Sequence, residues 1–210
     1  LAWACWKMYL GRPDTDRFRR DAMEILGGAL VTSQRCAEAL PVLEAELALN
    51  QRYWSRDDEA VRSAQTSLAN CLAEIGRKDE ALVLHRDIYS RRVAALGASH
   101  EDTIVSGLNL SACMQILDLW DEAATLLRDQ VLPEARKSLG DDHDLTLGIN
   151  QNLAAGLANN PDRTRDDLLE AETILQDVVH RRRRILGPVH PDTIRSEDAL
   201  SRMRANPARA

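Results

Sequence analysis

The sequence of 210 residues has few aromatic side chains and no excess of positive charge. Phe, Trp and Tyr make up 4% of the residues, and 27 Lys plus Arg stand against 33 Asp plus Glu, which gives a formal net charge of −6. A negative chain repels a phosphate backbone, and few rings are present on which bases could stack. We therefore expect no nucleic-acid partner.

Long apolar runs and paired cysteines are absent as well. No stretch approaches the ~20 apolar residues that cross a bilayer, so we expect no membrane insertion. The four cysteines are far apart in the sequence and form no C-x-x-C pair, which leaves no zinc-knuckle or redox-dithiol motif. We expect no metal, no cofactor and a cytoplasmic location, because free thiols persist in a reducing compartment.

What the sequence does contain is an internal repeat. The pattern L-G-x-x-H-x-x-T occurs three times, and its histidines lie 43 and 47 residues apart, at His100, His143 and His190. Seven residues after each threonine comes a leucine followed by a small residue, as at Leu110 and Leu153. Self-similarity at a period of this length indicates an array of stacked units.

Each unit is predicted to consist of two helices. Around Leu110, the residues Gly107, Ser111, Met114 and Leu117 recur at helical spacing and form one stripe to be buried. The glycine of each Leu-Gly is predicted to end the second helix in a left-handed conformation. Because one helix pair cannot bury its stripe alone, neighbouring units must stack into an all-α solenoid of about ten antiparallel helices with a concave face.

At these residues the chain resembles the tetratricopeptide repeats of kinesin light chains and their relatives, whose units of about 42 residues are joined by L-G-x-x-H-P-D-T. The match is fullest at residues 186–193, which read LGPVHPDT. The resemblance implies a right-handed superhelix. It also implies that the chain binds proteins and is not an enzyme, although a fold defines a partner poorly.

The repeat pattern organises residues 1–210 as a single array. It predicts the end of a truncated repeat at residues 1–13, a degenerate repeat at 14–56, two regular repeats at 57–99 and 100–142, a repeat with an insertion in its turn at 143–189, and the first helix of a further repeat at 190–204. Insertions in such arrays fall in loops.

The first helix of each unit carries a polar face that we expect to line the concave groove. This face contains the positions five before, one before, two after and six after the leucine that recurs in each unit. The candidate peptide-binding residues on it are Ser67, Asn70, Asn109, Asn152, Asn159, Arg195 and Arg202. In relatives of this family such an asparagine ladder grips a peptide backbone, since an amide both donates and accepts hydrogen bonds. The alternative is that these residues are merely exposed and polar.

Two functions are therefore compatible with the sequence. The first is a non-catalytic adaptor that binds a peptide segment or helix of a partner protein in the groove, with the acidic part of the ligand toward Arg195 and Arg202. The second is a structural or regulatory segment that packs on other domains of its own longer chain.

Two further patterns invite functional readings. The three repeated histidines are predicted to be junction residues, because one histidine per junction does not surround a metal ion. The arginines at residues 181–184 are expected to form a solvated face near a helix end, with a targeting role as the alternative.

Overall fold

The computed structural model describes residues 2–9, 11–14, 16–54 and 58–205, and within these residues it contains helices and no strand. The helices are α1 (Ala2–Tyr9), α2 (Arg17–Thr32), α3 (Cys36–Tyr53), α4 (Glu59–Glu74), α5 (Lys78–Leu96), α6 (Glu101–Ile116), α7 (Trp120–Thr125), α8 (Leu132–Leu139), α9 (Asp144–Asn159), α10 (Arg165–Leu186) and α11 (Pro191–Arg204). A π-helical segment, Leu126–Val131, joins α7 to α8 without a break. The predicted all-α fold of about ten helices is confirmed.

The chain divides into two compact units, Leu1–Arg91 and Arg92–Ala210. In unit 1, α2 packs on α1 and α3, and α3 packs on α4. In unit 2, α9 packs on α10 and α10 on α11. The short loops between these helices make neighbours antiparallel. The predicted repeat boundary at residues 56 and 57 falls within the segment 55–57, which lies outside the described residues, and the repeat boundaries stay a prediction.

The stripes predicted from helical spacing form the cores of the two units. Leu110 and Leu153 of the repeat pattern are 3% and 2% exposed. Cys71 and Cys113 are 0% and 2% exposed. None of the described helices is long and apolar enough to span a bilayer.

Each L-G-x-x-H-x-x-T pattern builds a junction between two helices. Its histidine is the N-cap of the next helix: Nδ1 of His100, His143 and His190 accepts a hydrogen bond from the backbone N–H two residues on, at 3.2, 3.3 and 3.2 Å. This bond satisfies one of the free donors of the first turn. The predicted junction role of the histidines is confirmed, and the described part of the chain brings together no group of three or more metal-binding side chains.

The glycine of the pattern differs from our expectation. Gly140 and Gly187 have φ values of +90° and +86°, and ψ is 165° at both. The left-handed helical conformation that we predicted is therefore wrong, because the backbone turns directly into an extended junction. A positive φ with extended ψ is a region that essentially only glycine adopts.

Replacing Gly187 by alanine is expected to lower the free energy of unfolding by about 1–3 kcal/mol, the usual cost of holding a side chain in such a region. An added Cβ would contact nothing within 4 Å, so the cost comes from the backbone alone. Gly148→Ala is the matched control, since Gly148 lies inside α9, also with nothing within 4 Å of an added Cβ. It should be neutral or stabilising by about 0.5–1 kcal/mol. Equal urea midpoints for the two variants would contradict this account.

The insertion in the fourth repeat is shared between a loop and a helix. The loop from residue 160 to residue 164 is two residues longer than the loop between α6 and α7. The helix that follows, α10, is two residues longer than the helical stretch over residues 120–139. Half of the inserted residues thus lengthen α10 rather than the turn in which we expected them all.

Candidate functional site

Two adjoining cavities lie between α9 and α11 in unit 2. One, of about 320 Å³, is lined by residues that include Asn159 and Arg202, and the other, of about 300 Å³, by residues that include Asn152 and Arg195. Gln151 and Ala155 line both. The cavities therefore form one continuous depression, which we call the α9–α11 groove.

The predicted polar face of these two helices coincides with this groove. All seven of its positions line one of the two cavities: Gly148, Asn152, Ala155, Asn159, Arg195, Ala199 and Arg202. Helical periodicity, counted from Leu153 and Leu200, thus placed the face correctly on α9 and α11. That these residues bind a peptide stays a prediction.

The remaining candidates lie elsewhere. Ser67 lines a different cavity, in unit 1. Asn70 is exposed on α4, and Asn109 is half-buried on α6. The structure does not bring these three residues into the α9–α11 groove.

Asn152 has a defined amide orientation. Its Oδ1 accepts hydrogen bonds from Ser111 Oγ at 3.2 Å and from Gln115 Nε2 at 2.9 Å, both on α6. Our expectation that this amide both donates and accepts toward a ligand needs correction, because its oxygen already accepts from Gln115, while the single Ser111 hydroxyl proton is also within 2.7 Å of the Leu108 carbonyl. The amide N–H groups, with no partner in the described part of the chain, are what Asn152 offers to a ligand.

Gln115 is a residue of the site that the sequence analysis missed. Besides Asn152 Oδ1, its Nε2 donates to the Asn152 backbone carbonyl at 3.1 Å. Gly156 makes room for this side chain, since an added Cβ would lie 2.8 Å from Gln115 Nε2. Gly156 occupies the repeat position that Cys71 and Cys113 hold in the two preceding repeats. The absence of a side chain at this position could have indicated that another side chain fills the space.

Arg182 forms the floor of the groove, and at this one position our expectation of a solvated arginine face is wrong. The residue is 6% exposed and lines the smaller cavity. Its Nη1 donates to Gln151 Oε1 and to Ser196 Oγ, both at 2.7 Å, and its Nη2 to Asp144 Oδ1 at 3.2 Å. One guanidinium thus ties α10 to both walls of the groove.

The other arginines of the run also have carboxylate partners. Arg181 and Arg184 both pair with Asp142, and Arg183 pairs with Glu197. These ion pairs join the end of α10 to the neighbouring junction and to α11. At Arg183 and Arg184 the expected solvated face is present, since both residues are exposed.

A repeated feature could have revealed the buried arginine. Arg182 Nη1 also donates to the backbone carbonyl of Asp192, ten residues later, at 3.3 Å. Arg92 makes the same contact with the carbonyl of Asp102 at 3.0 Å and is 8% exposed. Both arginines lie five residues before the glycine of their junction. The repeat predicted at residues 100–142 has Ala135 at the same position.

The two arginines that α11 contributes to the groove differ in their ion pairing. Arg195 is paired with Asp192 at 2.7 Å, which partly neutralises it. The Nε of Arg202 donates to the backbone carbonyl of Asp198 at 3.3 Å, and Arg202 has no carboxylate partner in the described part of the chain. Its guanidinium is therefore available to a carboxylate of a ligand.

An apolar wall faces Arg202 within the larger cavity. It consists of side chains that are buried or half-buried, among them Leu168, Leu175 and Met203. The α9–α11 groove thus combines amide donors, one available guanidinium and a pocket for an aliphatic side chain. A recognition site for an extended segment has this composition.

Comparisons with known proteins agree with the repeat architecture. The tetratricopeptide repeat family model matches residues 61–102 and 163–192. No curated protein sequence matches the chain.

Solved structures extend the likeness to most of the chain. The crystal structure of a putative kinesin light chain from Podosopora anserina, with nearly identical TPR-like repeats, matches with a TM-score of 0.73 and 23% identity, over 88% of this chain and 85% of that one. BtubC (BKLC) from P. vanneervenii matches with a TM-score of 0.75 and 14% identity, over 96% and 80% of the two chains. A Rap protein in complex with competence and sporulation factor matches with a TM-score of 0.59 and 14% identity, over 97% of this chain and 56% of that one.

At these identities the structural matches establish the fold, and the family model identifies the repeats within it. Residues 61–102 and 163–192 match the tetratricopeptide repeat family, and the fold of the chain is similar to that of kinesin light chain-like repeat arrays.

Proposed function

We propose that the chain is a non-catalytic interaction module that binds an extended segment of a partner protein in the α9–α11 groove. The observation that carries the proposal is that all seven positions of the polar face on α9 and α11 line one continuous groove. A surface that was only solvated would have no reason to form a depression with an apolar wall.

The amides of the groove suit the backbone of a ligand. Asn152 presents N–H groups whose orientation is held by Gln115, which donates to the amide oxygen at 2.9 Å. A donor fixed in this way loses little side-chain entropy on binding. Asn159, exposed at the end of α9 and without a hydrogen bond to any described residue, supplies both a donor and an acceptor.

The charge of the groove suits an acidic residue near Arg202. A carboxylate of the ligand would form a charge-assisted hydrogen bond with the guanidinium, while a neighbouring aliphatic side chain fills the cavity beside Leu168 and Leu175. The Rap protein, which is similar in fold, was solved in complex with a factor, so this fold is compatible with ligand binding. We expect micromolar affinity, on the order of −8 kcal/mol, from a groove that uses amides and modest apolar burial.

Peptide display against the purified protein, followed by affinity measurements on single variants, tests the proposal. Arg202→Ala should weaken the selected peptides about 10-fold or more, since a hydrogen bond to a charged group contributes about 1.5–3 kcal/mol. Asn159→Ala should weaken them less, because its bonds are neutral. Both side chains make few contacts within the protein, so neither change should alter stability.

Arg165→Ala is the matched control. Arg165 is the exposed first residue of α10 and lines neither cavity of the groove. Its replacement by alanine changes the net charge by the same amount as Arg202→Ala does. Binding within twofold of the parent is expected for this control. If Arg202→Ala and Asn159→Ala also bind like the parent, the groove is not the site, and the alternative of a segment that packs on its own longer chain gains support.

A further inference from the structure

The cavity in unit 1 that Ser67 lines has a volume of about 380 Å³ and a buried carboxyl group in its wall. It is lined by side chains and backbone of α2, α3 and α4, including Glu24, Gly28, Glu46 and Ser67. We call it the Glu46 cavity. It lies entirely within unit 1, and the function proposed for the α9–α11 groove does not use it.

Glu46 occupies a position that normally holds an apolar residue. The buried residues of α3 follow helical spacing, and Glu46 is the fourth of them: Cys36, Ala39, Leu43, Glu46 and Asn50. Glu46 is 6% exposed, and it has no hydrogen bond or ion pair with any described residue. Burial, together with the negative charge of Glu24, raises the pKa of Glu46 to about 7. Buried carboxylates are almost always paired, so this one lacks the cation that such a group requires.

Two glycines of α2 shape the approach to this carboxyl. An added Cβ on Gly27 would lie 2.8 Å from Leu43 Cδ2 and 3.5 Å from Glu46 Oε2, so Gly27 lets α2 approach α3 closely. Gly28 has no such packing role, because an added Cβ would contact nothing within 4 Å. A glycine inside a helix costs about 0.5–1 kcal/mol relative to alanine. Despite that cost, position 28 has no side chain, and the space beside the cavity is therefore empty.

The remaining lining suits a long basic side chain. Ile25 is 54% exposed and borders the cavity beside Leu43, so these two residues offer apolar surface to a methylene stem. Glu24 adds a second carboxylate, and Ser63 and Ser67 add hydroxyl acceptors from α4. Lysine and arginine bury their stems along apolar surface while the charged head finds acceptors.

We propose that the Glu46 cavity receives a lysine or arginine side chain of a bound protein segment, whose cationic head pairs with Glu46. This inference rests on the proposed function of the chain as a protein-binding module and adds a second specificity element to it. A basic head supplies the missing partner of Glu46 and neutralises its repulsion with Glu24. A metal ion fits less well, because the described residues form no group of three or more metal-binding side chains.

An array of blocked peptides tests the inference. Each peptide carries one lysine or arginine in a varied background and has a neutral counterpart with norleucine or citrulline at that position. The purified protein should bind a subset of the basic peptides about 10-fold more tightly than their neutral counterparts, the effect expected of one charge-assisted pair. In the Glu46→Gln variant, which keeps the shape of the side chain, each basic peptide and its neutral counterpart should bind equally.

Glu44→Gln is the matched control, since Glu44 is exposed on the same helix and its loss changes the net charge equally. It should keep the preference for basic peptides. Gly28→Leu provides a second variant, which fills the open approach while Glu46 stays in place, and it should abolish the preference as well. The inference is overturned if Glu46→Gln retains the preference, if Glu44→Gln removes it to the same extent, or if no basic peptide is preferred.

Failure of this inference can be told apart from failure of the proposed function. If peptides bind and depend on Arg202 and Asn159 but not on Glu46, the α9–α11 groove is supported and the Glu46 cavity is not a site. If peptides depend on Glu46 but not on Arg202 and Asn159, the reverse holds. If no peptide binds, both proposals are wrong.

Discussion

Replacing Leu110 by alanine is expected to lower the free energy of unfolding by about 2–5 kcal/mol, the range found for deleting a buried leucine side chain. Leu110 is 3% exposed in α6, and it is the leucine from which the repeat is counted. Its loss leaves a cavity beside Ser111 and Met114, which are buried with it. Urea unfolding followed by circular dichroism measures the change.

Leu169→Ala is the control for this experiment. Leu169 is 52% exposed on α10 in the same unit, so the same chemical change removes little buried surface. Its effect should stay within about 0.5 kcal/mol, as for most surface substitutions. If the urea midpoint of Leu110→Ala equals that of the parent, the helical register derived from the repeat is wrong.

The Glu46→Gln variant is expected to be more stable than the parent by up to about 3 kcal/mol at pH 8 and to differ little from it at pH 5. The pKa of Glu46 is about 7 in the folded chain, above the ordinary value of 4.5 that applies when it is unfolded. The folded state therefore holds the proton more tightly, and the parent loses stability as the pH rises from 4.5 through 7. At 1.36 kcal/mol per pKa unit, the raised pKa corresponds to about 3 kcal/mol.

The difference between the two proteins isolates Glu46 from other titrating groups. His85, whose pKa burial lowers to about 4, contributes stability that is lost as the pH falls from 6.5 toward 4, and it does so equally in both proteins. Glu44→Gln, a substitution on the exposed side of α3, is the control for the loss of one carboxylate. A stability difference between Glu46→Gln and the parent that is the same at pH 5 and pH 8 would contradict the burial of an unpaired carboxyl.

The features that follow from helix geometry could be predicted from the sequence. Counting 3.6 residues per turn from Leu153 places Asn152, Asn159 and their neighbours on one face, and the structure has them along the α9–α11 groove. The repeat makes this counting reliable, because each unit tests the register of the others. The junction histidines were predicted for the same reason.

The features that depend on one contact between distant residues could not be predicted. The orientation of Asn152 depends on Gln115, which is 37 residues away and whose position in the next unit holds Ala158. The burial of Arg182 depends on Ser196 and on a backbone carbonyl, while a run of arginines by itself is typical of a solvated face. For Glu46 a signal was present, since its spacing from Ala39 and Leu43 places it on the buried stripe of α3.

The most direct test of the central claim is a crystal structure of the protein with the tightest peptide from the display selection. The account predicts that the peptide lies extended in the α9–α11 groove, with a main-chain carbonyl accepting from the Asn152 amide and a carboxylate bound by Arg202. A peptide seated on the outer surface of α10, with the groove between α9 and α11 unoccupied, would contradict it.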